Sequence, residues 1–338
     1  MPSLRQIELV VHNESREAFE KLLEEESVSH YWQQHSETSG YQLKALVESS
    51  NTEQFLDRVE QLLGSDEQKY RLVMFEVEAT LPRMEREEPE EEESEEAPRQ
   101  PWEKPLQGVR VSREELYTKI SDAVVLSKIY MAMVVLSTIV AALGILRDNT
   151  AVVIGAMVIA PLLGPNVGLA LSTTLADFKL AWTSLKTNVA GLLVALLISI
   201  VIGFLMGIDI DVYQIASRTE VHLSDISLAL ASGAAGVLAY TVGMSAAVIG
   251  VMVAVALLPP LVTAGLLIGD MQFELAFYAF LLLLTNIICV NLAAVSTFLL
   301  QGVRPRTWYE TAKANRINRV ALTLWIFLVV ILALLIYY

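Results

Sequence analysis

The hydrophobic pattern divides the chain in two. Up to about residue 77, short stretches alternate apolar and polar positions; from about 124 onward come long, nearly unbroken apolar runs. Period-two alternation marks half-buried strands, and a 3.6-residue period marks amphipathic helices. Residues 4–11 alternate as a strand, and a helix follows with Asn13 as cap and Phe19, Leu22 and Leu23 on one face. Residues 27–36 and 41–47 read as two strands around the Glu37–Gly40 turn, with Tyr41, Leu43, Ala45 and Val47 alternating. A second helix from about Thr52 buries Phe55, Val59 and Leu62 and stops at Gly64, and a last strand spans Tyr70–Val77. This βαββαβ order predicts an α+β ferredoxin-like domain over residues 1–84. That fold carries many functions and selects none.

The sequence Ser112-Arg-Glu-Glu115 is a capping box. It starts a helix with Leu116, Ile120 and Val124 on one side, expected to lie at a membrane interface. Apolar runs follow at about 124–146, 150–175, 180–206, 226–242, 245–268, 274–300 and 320–338. Each is read as a crossing, and the fourth, rich in Ala and Gly, is the weakest. The expected class is an α-helical polytopic membrane protein of about seven spans. The interfacial helix and membrane domain occupy 110–319, and a C-terminal transmembrane helix occupies 320–338.

Basic residues orient such a protein. Lys104, Arg110, Arg113, Lys119 and Lys128 precede the first span, Lys179 and Lys186 follow the second, and Arg304, Arg306, Lys313, Arg316 and Arg319 lie before the seventh. With seven spans these share one side, and the other side holds only Arg147 and Arg218 among several carboxylates. The N-terminus is therefore expected in the cytoplasm and the C-terminus outside, in a prokaryotic cytoplasmic (inner) membrane.

Helix breakers interrupt the second span: Val153–Pro165 reads VIGAMVIAPLLGP. Val248–Pro260, VIGVMVAVALLPP, aligns with it at an offset of 95 positions, and Ser137 with Ser232 and Leu143 with Leu238 extend the match. The pattern predicts an internal repeat, about 124–206 and 226–300. Each copy has three spans, so the second enters the membrane in the opposite direction. Paired breakers in inverted repeats point to a transport site at the repeat interface. The competing reading is close helix packing along the small residues Ala156, Ala160, Gly164, Gly168 and Ser172.

Composition adds a soluble, acidic front to this picture. The 338 residues are 54% hydrophobic with net charge −14, and residues 1–100 hold 10 Lys/Arg against 25 Asp/Glu. Such a front excludes nucleic acid and anionic lipid surfaces as partners. Glu85–Pro98 contains nine glutamates, which predicts a disordered acidic linker over 85–109. His30 and His35, five positions apart on a strand, point to opposite faces and are not read as a metal site. Cys289 is the single cysteine. No phosphate loop or nucleophile elbow is found, so neither a cofactor nor an enzymatic role is expected.

The segment Ile154-Gly155-Ala156-Met157 followed by Pro161, Leu162, Gly164 and Pro165 resembles the signature of a prokaryotic hydrophobic-domain family, domain of unknown function 389. The resemblance covers roughly 120–305. It implies a polytopic inner-membrane protein with an N-terminal cytoplasmic domain, and it implies no activity.

The spans hold no carboxylate, lysine, arginine or histidine away from their ends, which disfavours proton coupling. The polar groups left are amides and hydroxyls. The candidate solute-binding residues are Gly155, Pro161, Gly164, Pro165, Asn166, Gly250, Pro259, Pro260, Asn286 and Asn291. The expected function is a transporter or channel for a small solute or ion, homo-oligomeric in the lipid bilayer and regulated by the cytoplasmic domain. The alternative is a membrane-anchored sensor whose soluble domain binds a ligand.

Overall fold

The computed structural model describes residues 4–11, 28–36, 40–63, 70–77, 111–244, 246–305 and 308–337. Two compact units divide the chain, Met1–Glu115 and Leu116–Tyr338. The helix expected after Asn13 and the acidic linker 85–109 fall outside the described residues.

In the first unit, β1 (Leu4–Val11), β2 (Val28–Ser36), β3 (Gly40–Glu48) and β4 (Tyr70–Val77) form an antiparallel sheet in the order β2-β3-β1-β4. Alternation puts Ile7, Leu9, Leu43, Ala45 and Val47 on one face, where Phe55 and Val59 of α1 (Ser49–Leu63) cover them. Burying a large apolar side chain there stabilises by roughly 1.5–3 kcal/mol. Arg5, on β1, is buried and donates from Nε and Nη2 to the two carboxylate oxygens of Glu115 at 3.0 and 3.1 Å. This planar two-bond match is the strongest arrangement open to such a pair.

Helix α2 (Arg113–Ala123) starts at the predicted cap: Ser112 Oγ accepts from the Glu115 N–H at 3.2 Å. Leu116, Ile120 and Val124 are buried, as their shared face required. The second unit continues with α3 (Lys128–Leu146), α4 (Thr150–Ile159), α5 (Leu163–Leu175), α6 (Phe178–Met206), α7 (Tyr213–Thr219), α8 (Leu223–Thr241), α9 (Ala246–Gly269), α10 (Phe273–Leu300) and α11 (Trp308–Tyr337). Among the described residues, five helical stretches are long and apolar enough to cross a membrane, and six if α4 and α5, bent by 52°, make one crossing. The protein is a multi-pass, mostly helical membrane protein with a small N-terminal antiparallel sheet.

The packing follows membrane rules. Helix α6 buries Ser184, Asn188, Gly191, Ala195, Ser199 and Gly203, and turns Leu193, Leu197, Val201 and Phe204 outward. Small residues face the protein and large apolar ones face out, the reverse of a water-soluble helix. A Cβ on Gly265 would stand 2.5 Å from Ser199 Cβ, and one on Gly269 would strike the Ile200 and Phe204 backbone. Contacts on α9 and α6 advance together along the chain, so these two helices run parallel.

Hydrogen bonds tie particular helix ends. Tyr117 Oη donates to Asp177 Oδ2 at 2.7 Å, Gln301 Nε2 to Thr241 Oγ1 at 2.9 Å, and Asn318 Nδ2 to the Thr174 carbonyl at 3.1 Å. At other ends, the Gln214 N–H donates to Asp148 Oδ1 at 3.1 Å and Gln214 Nε2 to Thr150 Oγ1 at 2.7 Å. Helix α7, which makes this last set, was not anticipated from the sequence: seven residues are too few to show a period.

Candidate functional site

The first breaker segment breaks its helix. Ala160 ends α4 in an extended conformation (φ −68°, ψ 121°), and Leu162 restarts the chain as α5. Proline at 161 pushes the residue before it out of the helical region. Pro165 falls in the first turn of α5, where a missing N–H is harmless. Pro161 lies half-buried in the break. Gly164 is buried, and a Cβ there would stand 2.9 Å from the Ala123 carbonyl oxygen. Gly155 is exposed, with nothing within 4 Å of where its Cβ would be, so it brings no backbone close.

The second segment does not break. Pro259 and Pro260 lie inside the continuous helix α9, both buried. The donors they remove leave the carbonyls of Val255 and Ala256 without their usual partners. Gly250 belongs to α9, in a stretch whose side-chain surroundings are outside the described residues. The two segments do meet: Ala156, Met157, Ala160 and Leu162 share one apolar cluster with Leu257, Leu258, Leu261 and Val262. Their junction is apolar.

Two predicted asparagines meet beside it. Asn291 Nδ2 donates to Asn166 Oδ1 at 3.3 Å and to the Ile287 carbonyl at 2.8 Å, while Asn166 Nδ2 donates to the Leu162 carbonyl at 2.9 Å. Both are almost wholly buried, at 1% and 2% exposure. Asn291 thus serves the Asn166 oxygen across α5 and α10, a polar group that would otherwise sit bare in apolar surroundings.

The cavity opens one turn away. It holds about 160 Å³ and is lined by Ser217 and Arg218 of α7, Asp225, Leu228, Ala229 and Ser232 of α8, Pro260 of α9, and Leu282 and Asn286 of α10. Asn286 is the midpoint of α10, about 20 Å along the helix from its start. The cavity therefore runs from a helix-end loop to mid-helix depth. Arg218 donates to the Gln214 carbonyl and, at 3.4 Å, to Ser217 Oγ, and among the described residues no carboxylate lies within ion-pair distance of it. Burial lowers its pKa, and nearby Tyr213 and Asp148 counter that; a guanidinium keeps its charge regardless. Asp225 Oδ2 accepts from the His222 N–H at 2.8 Å, capping α8. Both charge signs thus line one polar recess.

Sequence reasoning found Pro260 and Asn286 of this recess and missed Arg218, Asp225 and Ser232 as lining. Arg218 was counted only as a loop charge. Its isolation on the basic-poor side was the available signal.

Backbone features recur at the offset of 95 positions. Helices α3 and α8 begin at 128 and 223 and end at 146 and 241, and α6 and α10 begin at 178 and 273, each pair 95 positions apart. The left-handed residues obey the same offset. Asp148 pairs with Gly243, Ala176 with Met271, and Gly207 with Gly302, which accounts for every positive-φ position among the described residues. Three of the six are not glycine, so they are uncommon conformations recurring at equivalent turns.

Fold and site together define a multi-pass, mostly helical membrane protein. The family model of the domain of unknown function DUF389 matches residues 157–292, a stretch containing the first breaker segment from Met157 on, the whole of the second, the asparagine pair and the cavity. An uncharacterized protein of Methanocaldococcus jannaschii is 40% identical over 296 residues, covering 88% of this chain and 87% of that one. The chain belongs to this DUF389 family. No solved structure matches it.

Proposed function

We propose that the protein is a membrane transporter or channel for a small solute or ion, and that the cavity ending at Asn286 is the outer half of its path. The observation that carries this reading is a polar, charge-bearing recess reaching mid-helix depth in an otherwise apolar membrane unit. Intramembrane polar groups of this kind mark pathways more often than packing. The hydroxyls of Ser217 and Ser232 and the Asn286 amide supply ligands for a small polar solute.

The finer architecture belongs to the same proposal. The chain crosses the membrane seven times, with α4 and α5 as one crossing and α9, at 24 residues, as another about 36 Å long. The repeats are inverted. In support, α9 runs parallel to α6, whereas α5 enters α6 through a two-residue turn and runs against it; the equivalent helices α5 and α9 therefore oppose each other. The end-to-end hydrogen bonds fit this path, since each joins ends that a seven-crossing chain puts on one face. By the basic-residue bias, the Tyr117, Thr241 and Asn318 face is cytoplasmic and the α7 face external, in a prokaryotic cytoplasmic membrane. The N-terminal domain is ferredoxin-like, supported by the strand order β2-β3-β1-β4, and regulates the path. The protein works as a homo-oligomer, without nucleic acid, cofactor or enzymatic activity.

A second reading, a membrane-anchored sensor, is favoured by one observation: the closely packed apolar junction of the breaker segments. A Ser232→Cys reporter in a Cys289→Ala background separates them. A small charged methanethiosulfonate reagent added from the α7 face modifies it if the cavity is a water-filled half-path. An inert Ser232→Cys overturns the transport reading.

A further inference from the structure

The offset of 95 positions assigns each cavity residue an equivalent in the first copy, and there the cavity is filled. Asp225 corresponds to Tyr130, Ser232 to Ser137, Pro260 to Pro165, Leu282 to Thr187, Asn286 to Gly191, and Arg218 to Ala123. Where the second copy has a recess of about 160 Å³, the first has the ring of Tyr130, buried to 6% exposure. Resting on the transport reading, we propose that Tyr130 is the plug that closes the inner half of the path, so that the structure is open on the α7 face and shut on the α2 face.

The fit of the ring explains the small residue opposite it. A Cβ on Gly191 would stand 2.5 Å from Tyr130 Oη and 3.2 Å from Leu162 Cδ2. Glycine at 191 is what lets the phenol seat between α3 and α6. The hydroxyl donates to the Thr187 carbonyl at 3.3 Å. Thr187 Oγ1 in turn donates to the Val124 carbonyl at 2.7 Å, which ties the segment entering α3 over the ring. Val124 Cγ1 and Ser184 Oγ each lie 2.5 Å from a Cβ position on Gly168, so α5 and α6 pack closely at that point.

The plug and the open cavity are joined through named groups. Gly191 touches Leu162 at the α4–α5 break, the Leu162 carbonyl accepts from Asn166, Asn166 pairs with Asn291, and Asn286 sits beside the cavity five positions before Asn291. An inverted repeat offers the path two equivalent half-cavities. Packing that fills one while the other stands open is the asymmetry alternating access requires. Displacing the ring means breaking the Thr187 link and opening the bend at Ala160–Leu162, where the chain has already left the helix.

The test uses the full-length protein in membrane vesicles of each orientation, with Cys289→Ala and a reporter at Ser137→Cys, the equivalent of Ser232. With Tyr130 in place, Ser137→Cys is inert to a small charged methanethiosulfonate reagent from the α2 face. In Tyr130→Ala it reacts at a rate approaching that of Ser232→Cys from the α7 face. Tyr130→Phe, which keeps the ring and loses the hydroxyl, leaves Ser137→Cys protected. Should Tyr130→Ala fail to accumulate in the membrane, Tyr130→Val carries the same comparison. The plug is overturned if Ser137→Cys is reactive with Tyr130 present, or stays inert in the alanine or valine variant while Ser232→Cys still reacts. If Ser232→Cys is inert in every background, the transport reading itself has failed.

Discussion

Asn166 and Asn291 stand 125 positions apart in the chain, yet Nδ2 of one lies 3.3 Å from Oδ1 of the other, between the restart of α5 and the second half of α10. The link joins α5 to α10, and it sits where the apolar breaker junction gives way to the polar cavity. Its energy is modest, because buried amide bonds in membranes are worth about 0.6–1.7 kcal/mol in double-mutant cycles. Asn291→Leu alone strands the Asn166 oxygen and should lower stability in detergent by about 1–2 kcal/mol. The double change Asn166→Leu with Asn291→Leu should cost less than the two single losses added. Simple additivity in thermal unfolding would show that the two side chains do not interact.

Two glycines with the same sequence credentials should behave oppositely. Gly155 has open space around it, whereas Gly164 lies against the Ala123 backbone. Gly155→Ala should be silent, and Gly164→Ala should destabilise by about 1–3 kcal/mol, the usual cost of overpacking. Unfolding midpoints of the two variants decide this; equal midpoints would mean α2 does not pack on α5.

Paired cysteines test the crossing order. In a Cys289→Ala background, Thr241→Cys with Gln301→Cys should cross-link, the native pair being 2.9 Å apart, and so should Asp148→Cys with Gln214→Cys. Impermeant cross-linkers should capture the two pairs from opposite faces of the membrane. Reporter fusions at the N-terminus and at Tyr338 should likewise report opposite sides. Capture of both pairs from one face would remove the fourth crossing.

The N-terminal fragment ends best after Glu115. A fragment of residues 1–84 contains all four strands found among the described residues but leaves the buried Arg5 without the carboxylate that holds it by two hydrogen bonds. Residues 1–115 should therefore be more stable than 1–84 by roughly 1–3 kcal/mol in urea, since an ion left bare in a buried site is costly. Glu115→Gln in the longer fragment should abolish most of that difference. Equal stability of the two fragments would show Arg5 satisfied by Glu76 alone.

Alkaline pH should loosen the start of α6. The Tyr117 hydroxyl donates to Asp177, the carboxylate that also caps α6, and this pushes the phenol from 10.0 up to about 12. A proton held more tightly in the folded state gives stabilisation that is complete below pH 10 and is lost as pH rises from 10 towards 12. Partial exposure limits the effect to below about 1 kcal/mol. Tyr117→Phe should flatten the alkaline limb of stability against pH; an unchanged limb would mean another group causes it.

By itself, the sequence determined what depends on local chemistry and on repetition. The alternation at Leu43, Ala45 and Val47, the cap at Ser112 and the break before Pro161 each follow from a few neighbouring residues, and all three stand in the structure. The offset between VIGAMVIAPLLGP and VIGVMVAVALLPP is also a property of the string, and the helix ends obey it. Tertiary structure decided how each copy uses its breakers. Pro161, followed by Gly164 and Pro165, bends its helix by 52°, whereas Pro259 and Pro260 stay within α9 because helices packed around them hold the backbone in place despite two lost donors. It also decided that Gly155 faces outward, that Asn166 finds Asn291, and that equivalent positions carry a cavity at Asp225 and a ring at Tyr130. Those outcomes depend on which faces meet across 95 or more positions, and packing between distant helices leaves no periodic trace in the order of residues.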